Sequence, residues 1–230
     1  HAPLLLPHHQ ASLGHDVIEV SSLLQHQLFT YDPGFMATAA CKSDITYIDG
    51  EAGQLLYRGY PIEQLAEQHT YMDVAHLLLQ GVLPESTQSF EKTVCEYSIC
   101  EPEVWAFLTQ ASSKAHPVGM LLASLAYCAA HHSHTADQSE ARTRSMLQAV
   151  GILPTLAAAC LRRSQNLPPL KPKPELGYIN NFLYMCFDQT EFDPAITHAL
   201  DVIFTLHADH EQNASTSTVR MAGSTGTPAF

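Results

Sequence analysis

The stretch Leu206-His207-Ala208-Asp209-His210-Glu211-Gln212-Asn213-Ala214-Ser215-Thr216-Ser217-Thr218-Val219-Arg220 joins the end of an apolar helical pattern to a run of hydroxyl residues. Upstream, Asp193-Pro194 supplies an N-cap followed by a first-turn proline. The spacing then predicts a helix through His210 whose Ile196, Leu200, Ile203 and Phe204 form the buried stripe. His207 and His210 are three residues apart at its end, so both imidazoles project on roughly one side. Polar groups crowded at a core edge have to be satisfied by one another or by a ligand. Spacing alone leaves three readings open: a structural hydrogen-bond cluster, a substrate site and a metal site. Zinc needs three or four ligands of matched geometry, and His-x-x-His with acids nearby is a fragment of that. His131, His132 and His134 could add ligands only if the fold brought them close, and such a run between helices reads first as a solvated loop.

Toward the N-terminus the texture is helical back to Tyr60. His116-Pro117 opens a helix that is small and apolar nearly all round, which predicts a place in the middle of the molecule. A longer helix follows from about Glu140 to Arg163, with Pro154 as its expected kink. The prolines at 168, 169, 172 and 174 stiffen the connector from Asn166 to Gly177, which reads as a loop packed on one domain. Phe90, Val94 and Tyr97, then Val104, Phe107 and Leu108, mark two amphipathic helices. Asp73 to Gln80 is a short apolar helix closed by Gly81, and Pro61 is read as the first-turn proline of another. Ahead of these, Ile45 to Ile48, the turn dipeptide Asp49-Gly50 and Gln54 to Tyr57 read as two strands of a hairpin. Asp32-Pro33-Gly34 marks a further turn. The expected architecture is mainly α, with a β-containing N-terminal segment over 1–56 and helices over 57–230.

Composition narrows the function classes. The chain has 230 residues, with 11 Lys plus Arg against 23 Asp plus Glu and a formal charge of −12. A grip on nucleic acid that ignores sequence needs a basic face, which this balance does not supply. The 14 His outnumber the other basic side chains, and protonating all of them would carry the formal charge from −12 across zero. At 46% apolar residues there is ample material for a core. The longest strongly apolar stretch, Val118 to Ala130, is short of the ~20 residues that span a bilayer and reads as a buried helix. No Lys or Arg precedes Lys42, so neither a secretory signal nor a transit peptide is read there, and a soluble, cytoplasmic protein is expected. Cys41, Cys95, Cys100, Cys128, Cys160 and Cys186 form no CxxC pair and are read as buried free thiols. Ala222 to Thr227 is glycine- and hydroxyl-rich, but without a following Lys or a preceding strand it is not a phosphate loop. Ser215 to Thr218 lack a G-x-S-x-G frame and read as capping or packing hydroxyls.

From about Leu13 onward the chain resembles citrate synthase in its bacterial form, which carries an extra N-terminal β segment. The resemblance rests on Phe29 to Phe35, Ile45 to Gly50, Leu55 to Ile62 with Gln64-Leu65-Ala66, and Leu77 to Gly81. It continues through His116-Pro117, Asn181-Phe182-Leu183 and, most specifically, Leu206 to Arg220. It implies an acyltransferase that condenses acetyl-CoA with oxaloacetate and hydrolyses citryl-CoA, with no resident cofactor and no metal. By the same resemblance His210 matches the oxaloacetate-contacting histidine, and His207 lies at the substrate site or immediately behind it. Asn213 and Ser215 match polar residues that line the pocket and orient the catalytic imidazole. The catalytic histidine of the family lies in a Gly-Pro-x-His-Gly-Gly-Ala-Asn segment, expected beyond Phe230 together with the catalytic aspartate, the carboxylate-binding arginines and the CoA-binding segments.

Residues 57–230 are accordingly expected to be the N-terminal part of a helical large domain, with the small domain absent. His1 and the run Thr227-Pro228-Ala229-Phe230 make both ends look cut, so the expectation is a fragment without turnover of its own. The alternatives are a 2-methylcitrate synthase using propionyl-CoA, against which the N-terminal β segment argues, and a naturally truncated inactive chain. Family members are homodimers or hexamers of dimers. Where the bacterial group places the basic residues of an inhibitory NADH site, this chain has Glu96, Tyr97, Gln148 and Ile152, which argues against such inhibition.

Overall fold

The structure, a computed structural model, describes residues 3–131 and 138–225. It is mainly helical with a little β-structure near the N-terminus, as the sequence pattern predicts. Two short strands, β1 (His8–His9) and β2 (Val17–Ile18), pair antiparallel. A three-stranded antiparallel sheet follows, ordered β3 (Thr46–Asp49), β4 (Gln54–Tyr57) and β5 (Tyr60–Pro61). The β3–β4 register runs from Thr46 opposite Tyr57 to Asp49 opposite Gln54. The Asp49 carboxylate accepts the amides of Glu51 and Ala52, and Gly53 at φ +66° lets the chain return. Arg58 and Gly59 then link β4 to β5 with both φ values positive, as a two-residue hairpin turn requires.

The helices are α1 (Ile62–Gln68), α2 (Tyr71–Gln80), α3 (Gln88–Glu96), α4 (Pro102–Gln110) and α5 (Pro117–His131). They continue as α6 (Gln138–Ser164), α7 (Tyr178–Phe187), α8 (Pro194–Leu206) and α9 (Ala214–Gly223). Local signals set most boundaries. Thr70 and Asp73 form a reciprocal capping box on α2, and Gly81 at φ +86° ends it. Pro61 is the N-cap of α1 in extended conformation, one position ahead of its expected place, because Tyr60 and Pro61 still pair with β4.

The long helix α6 packs against α3, α4, α5 and α7. On one side Val104, Leu108, Met120, Cys128, Ile152 and Leu156 form an apolar cluster. On another, Val94, Tyr178, Ile179 and Leu183 meet Leu147 and Val150. Gly151 sits where α3 crosses α6, and a Cβ there would collide with the Val94 carbonyl oxygen, so an alanine requires one helix to move. A third cluster joins Tyr57 of the hairpin to Ile62 and Leu65 of α1 and Val74 and Leu77 of α2. The proline-rich connector is packed down: Arg162 Nε donates to the Pro168 carbonyl at 2.7 Å, and the Lys173 amide donates to Asn181 Oδ1 at 2.7 Å.

Several expectations are corrected. α5 buries a single stripe, Met120, Ser124 and Cys128, and leaves Val118 and Leu122 at 65% and 69% exposure, so among the described residues it packs by one face only. A helix apolar all round carries no information about which face is buried. Of the stripe predicted on α8, Leu200 and Phe204 pack inward, whereas Ile196 and Ile203 are 53% and 49% exposed. Polar anchors set that rotation. Asp201 accepts the Tyr71 amide at 3.0 Å, Thr197 donates to Asn180 Oδ1 at 3.0 Å, and Thr205 on the same side is fully buried. α8 ends at Leu206, before His210. All six cysteines are free, but Cys41 is exposed. Burial pushes the Cys95 and Cys100 thiols up to about 12. Arg142–Ser164, within α6, is long and apolar enough to cross a membrane by length and composition, yet half of that window is buried. It occupies the place of a core helix here.

Candidate active site

The loop between α8 and α9 displays two different faces. His207 caps α8, and its Nδ1 lies 2.8 Å from the Ile203 carbonyl oxygen. A carbonyl only accepts, so Nδ1 carries the hydrogen and Nε2 is left for a ligand. The His207 and His210 rings have centroids 5.8 Å apart and planes 43° apart, and both residues are exposed. The sequence therefore paired them correctly, although they are held by a cap and a loop and not by one helical face.

Between and beyond them the chain turns inward. Ala208 packs on the Tyr57–Leu65–Leu77 cluster. The Tyr57 hydroxyl donates to the Asp209 carbonyl at 3.1 Å and accepts from the Asp209 amide at 3.2 Å. Burial raises the Tyr57 phenol above its usual range. The Asp209 carboxylate accepts the Glu211 amide at 3.0 Å. Glu211 itself adopts φ +54° and accepts the Ile48 amide at 2.6 Å. β3 is an edge strand, so that amide points away from β4 and needs an outside partner.

Asn213 is the N-cap of α9, its Oδ1 accepting the Thr216 amide at 2.9 Å. Ser215 lies exposed in the first turn of that helix. Arg220 donates to the Ala40 carbonyl at 2.6 Å and ties α9 to the segment before β3. A cavity of about 450 Å³ lies on the hairpin side of the loop, lined among others by Thr46, Asp44, Asp209, Glu211 and Thr216. Neither His207 nor His210 lines it.

Glu96, Tyr97, Gln148 and Ile152 all line one cavity of about 180 Å³ beside α3 and α6, together with Glu101 and Cys128. Its lining residues include two carboxylates and no Lys or Arg. Among the described residues no group of three or more His, Cys, Asp or Glu is placed to hold a metal. The run from His132 to Asp137 and the segment from Gly226 to Phe230 lie outside the described residues. Tyr57 and Glu211 emerge as residues that pattern reading did not single out. Their only signal was membership in the motifs around Leu55 to Ile62 and Leu206 to Arg220.

A family model described as citrate synthase, C-terminal domain, matches residues 34–230. The chain belongs to the citrate synthase family. Its fold is similar to that of citrate synthase from Pyrobaculum aerophilum, with a TM-score of 0.74 at 30% identity over 86% of this chain and 54% of that one. Citrate synthase from Thermotoga maritima MSB8 gives a TM-score of 0.69 at 27% identity, covering 81% of this chain and 49% of that one. The third likeness is to citrate synthase from the thermophilic archaeon Thermoplasma acidophilum, solved as a ternary complex with carboxymethyl coenzyme A and oxaloacetate. There the TM-score is 0.74 at 25% identity, over 80% of this chain and 49% of that one. The chain thus spans about half the length of these solved synthases.

Proposed function

We propose that the protein to which this chain belongs condenses acetyl-CoA with oxaloacetate and hydrolyses the resulting citryl-CoA to citrate and free CoA. The observation that carries this reading is the exposed His207–His210 pair on a pinned loop of a chain belonging to the citrate synthase family. In the reaction a base removes a methyl proton from acetyl-CoA, and the enolate carbon attacks the oxaloacetate carbonyl. Water then cleaves the thioester, releasing CoA. Such chemistry needs hydrogen-bond donors placed at the developing oxyanions. We assign His210 to the oxaloacetate contact and His207 to its support, its Nδ1–H fixed on the Ile203 carbonyl. Asn213 and Ser215 are assigned to the pocket lining, with Asn213 Oδ1 already engaged in capping α9. No resident cofactor is assigned, acetyl-CoA being a substrate.

The base, the further histidine and the arginines of the reaction are assigned to the complete protein, with no turnover expected from these 230 residues alone. A cytoplasmic homodimer, or a hexamer of dimers, is the proposed setting. The carboxylates at the Glu96 cavity favour an enzyme without NADH inhibition, because a dinucleotide pyrophosphate is repelled there. Thiol release by the complete protein, measured with acetyl-CoA and with propionyl-CoA on oxaloacetate, tests the reading. Faster turnover of acetyl-CoA is expected. Preference for propionyl-CoA would convert the assignment to 2-methylcitrate synthase, and release with neither thioester would overturn it.

A further inference from the structure

We infer that Tyr57 and Glu211 are positioning residues: they clamp the 207–213 loop to the β3–β4 hairpin and so fix where His207 and His210 present their imidazoles. The inference rests on the reading of that pair as the oxaloacetate contact.

Tyr57 is 0% exposed, and its ring is held by Leu65, Val74 and Leu77. Its hydroxyl therefore has one fixed place, and there it meets both polar groups of a single residue, accepting the Asp209 amide and donating to the Asp209 carbonyl. Removing that oxygen leaves two backbone groups at a part-buried position without their partner. Glu211 works from the other end of the turn. A non-glycine residue at φ +54° is held against a local preference and persists where its surroundings fix it. Here the Asp209 carboxylate holds its amide, and its own carboxylate holds the Ile48 amide. Asp209 is thus fixed by the hairpin through its backbone and by Glu211 through its side chain. His210 lies between the two clamps, and His207 lies between Asp209 and the last turn of α8. The anchors belong to a sheet and a buried ring, which place a site more accurately than a free loop does.

The test compares oxygen deletions at the loop with one in the core, all in the complete protein. Tyr57→Phe and Glu211→Ala are expected to raise the oxaloacetate KM or lower kcat by about tenfold or more, since a displacement near 1 Å can cost up to a hundredfold. The acetyl-CoA KM should stay near wild type. Glu211→Gln should restore most of the activity lost in Glu211→Ala, because its amide oxygen can still accept from Ile48. Tyr178→Phe is the control, as its hydroxyl donates to the Val150 carbonyl at 2.9 Å in the helical core. It should lower the melting temperature without moving the oxaloacetate KM. Amide hydrogen exchange supplies a readout independent of turnover: Asp209 and Ile48 should exchange faster in Tyr57→Phe and Glu211→Ala respectively, and neither in Tyr178→Phe. Wild-type kinetics in both loop variants, or an equal kinetic loss in Tyr178→Phe, would overturn the inference. An inactive wild-type protein would instead refute the proposed function, with the exchange rates at Asp209 and Ile48 still deciding whether the clamp exists.

Discussion

Around α6 most of the wholly buried side chains are apolar, with Val94, Val104, Leu108 and Leu156 at 0% exposure, and the buried hydroxyls of Ser124 and Thr155 donate to the Met120 and Ser98 carbonyls. At the other end of the chain, α8 contributes Thr205 as its only buried residue and α9 contributes none. That end is held by directional bonds: Tyr57 to Asp209, Glu211 to Ile48, Asn213 to Thr216 and Arg220 to Ala40. Apolar burial is large in energy but indifferent to small rotations, whereas hydrogen bonds are modest in energy and specific in geometry. The contrast separates what keeps this molecule folded from what would aim its histidines.

Truncating the core should therefore produce the largest effect. Leu156→Ala removes a side chain in contact with α4 and α5 and is expected to cost about 2–5 kcal/mol of unfolding free energy. Denaturant melts would read this as a global loss, with the exchange of loop amides unchanged below the transition. A preferential opening of the 207–213 loop in that variant would erase the distinction. Asn213→Ala tests the polar end, with about 1 kcal/mol expected from the lost cap. That loss should appear as faster exchange at Thr216 and leave α6 untouched.

The smallest expected effect depends on pH and lies where the two regions meet. Burial outweighs the Tyr71 amide bond and raises the Asp201 carboxyl above its usual value of 3.8, with Asp73 and Glu91 adding to the shift and His198 opposing it. A carboxyl with a raised folded pKa contributes its stability fully below the unfolded value and loses it as pH rises through the folded one. Its charge is therefore a liability at neutral pH. Asp201→Asn keeps an acceptor for the Tyr71 amide and should raise the melting temperature slightly at pH 7. The gain should fade as pH falls toward about 3.8. A variant less stable than wild type at pH 7 would show that the ionised form anchors α8.

Local signals made much of this legible in the sequence. The hairpin at 46–57, the closure of α2 by Gly81 and the start of α8 at Asp193-Pro194 depend on residues a few positions apart. Phase and depth were not legible in the same way. The line through Ile196, Leu200 and Ile203 pointed to one buried face. Asp201 and Thr197 turned the helix through bonds to Tyr71 and Asn180, partners that no periodicity reveals. α5 had no polar face to show which stripe packs inward among these residues. At the candidate site the His207–His210 pairing was visible in the spacing, but its anchors were not, since Tyr57 and Ile48 lie far upstream.

Those separations carry a consequence for time. The links Tyr57–Asp209, Ile48–Glu211 and Ala40–Arg220 close loops of 152, 163 and 180 residues. Contacts between neighbouring helices reward a folding chain early, whereas such long closures must wait until most of it is already ordered. During synthesis the hairpin emerges near the beginning and stands without its partner until the loop after α8 appears. The histidine pair is therefore among the last features of these residues to become definite. A chain arrested shortly before residue 209 would carry nearly every helix described here and His207 on its helix cap, but not the pinned loop that sets the second imidazole beside it.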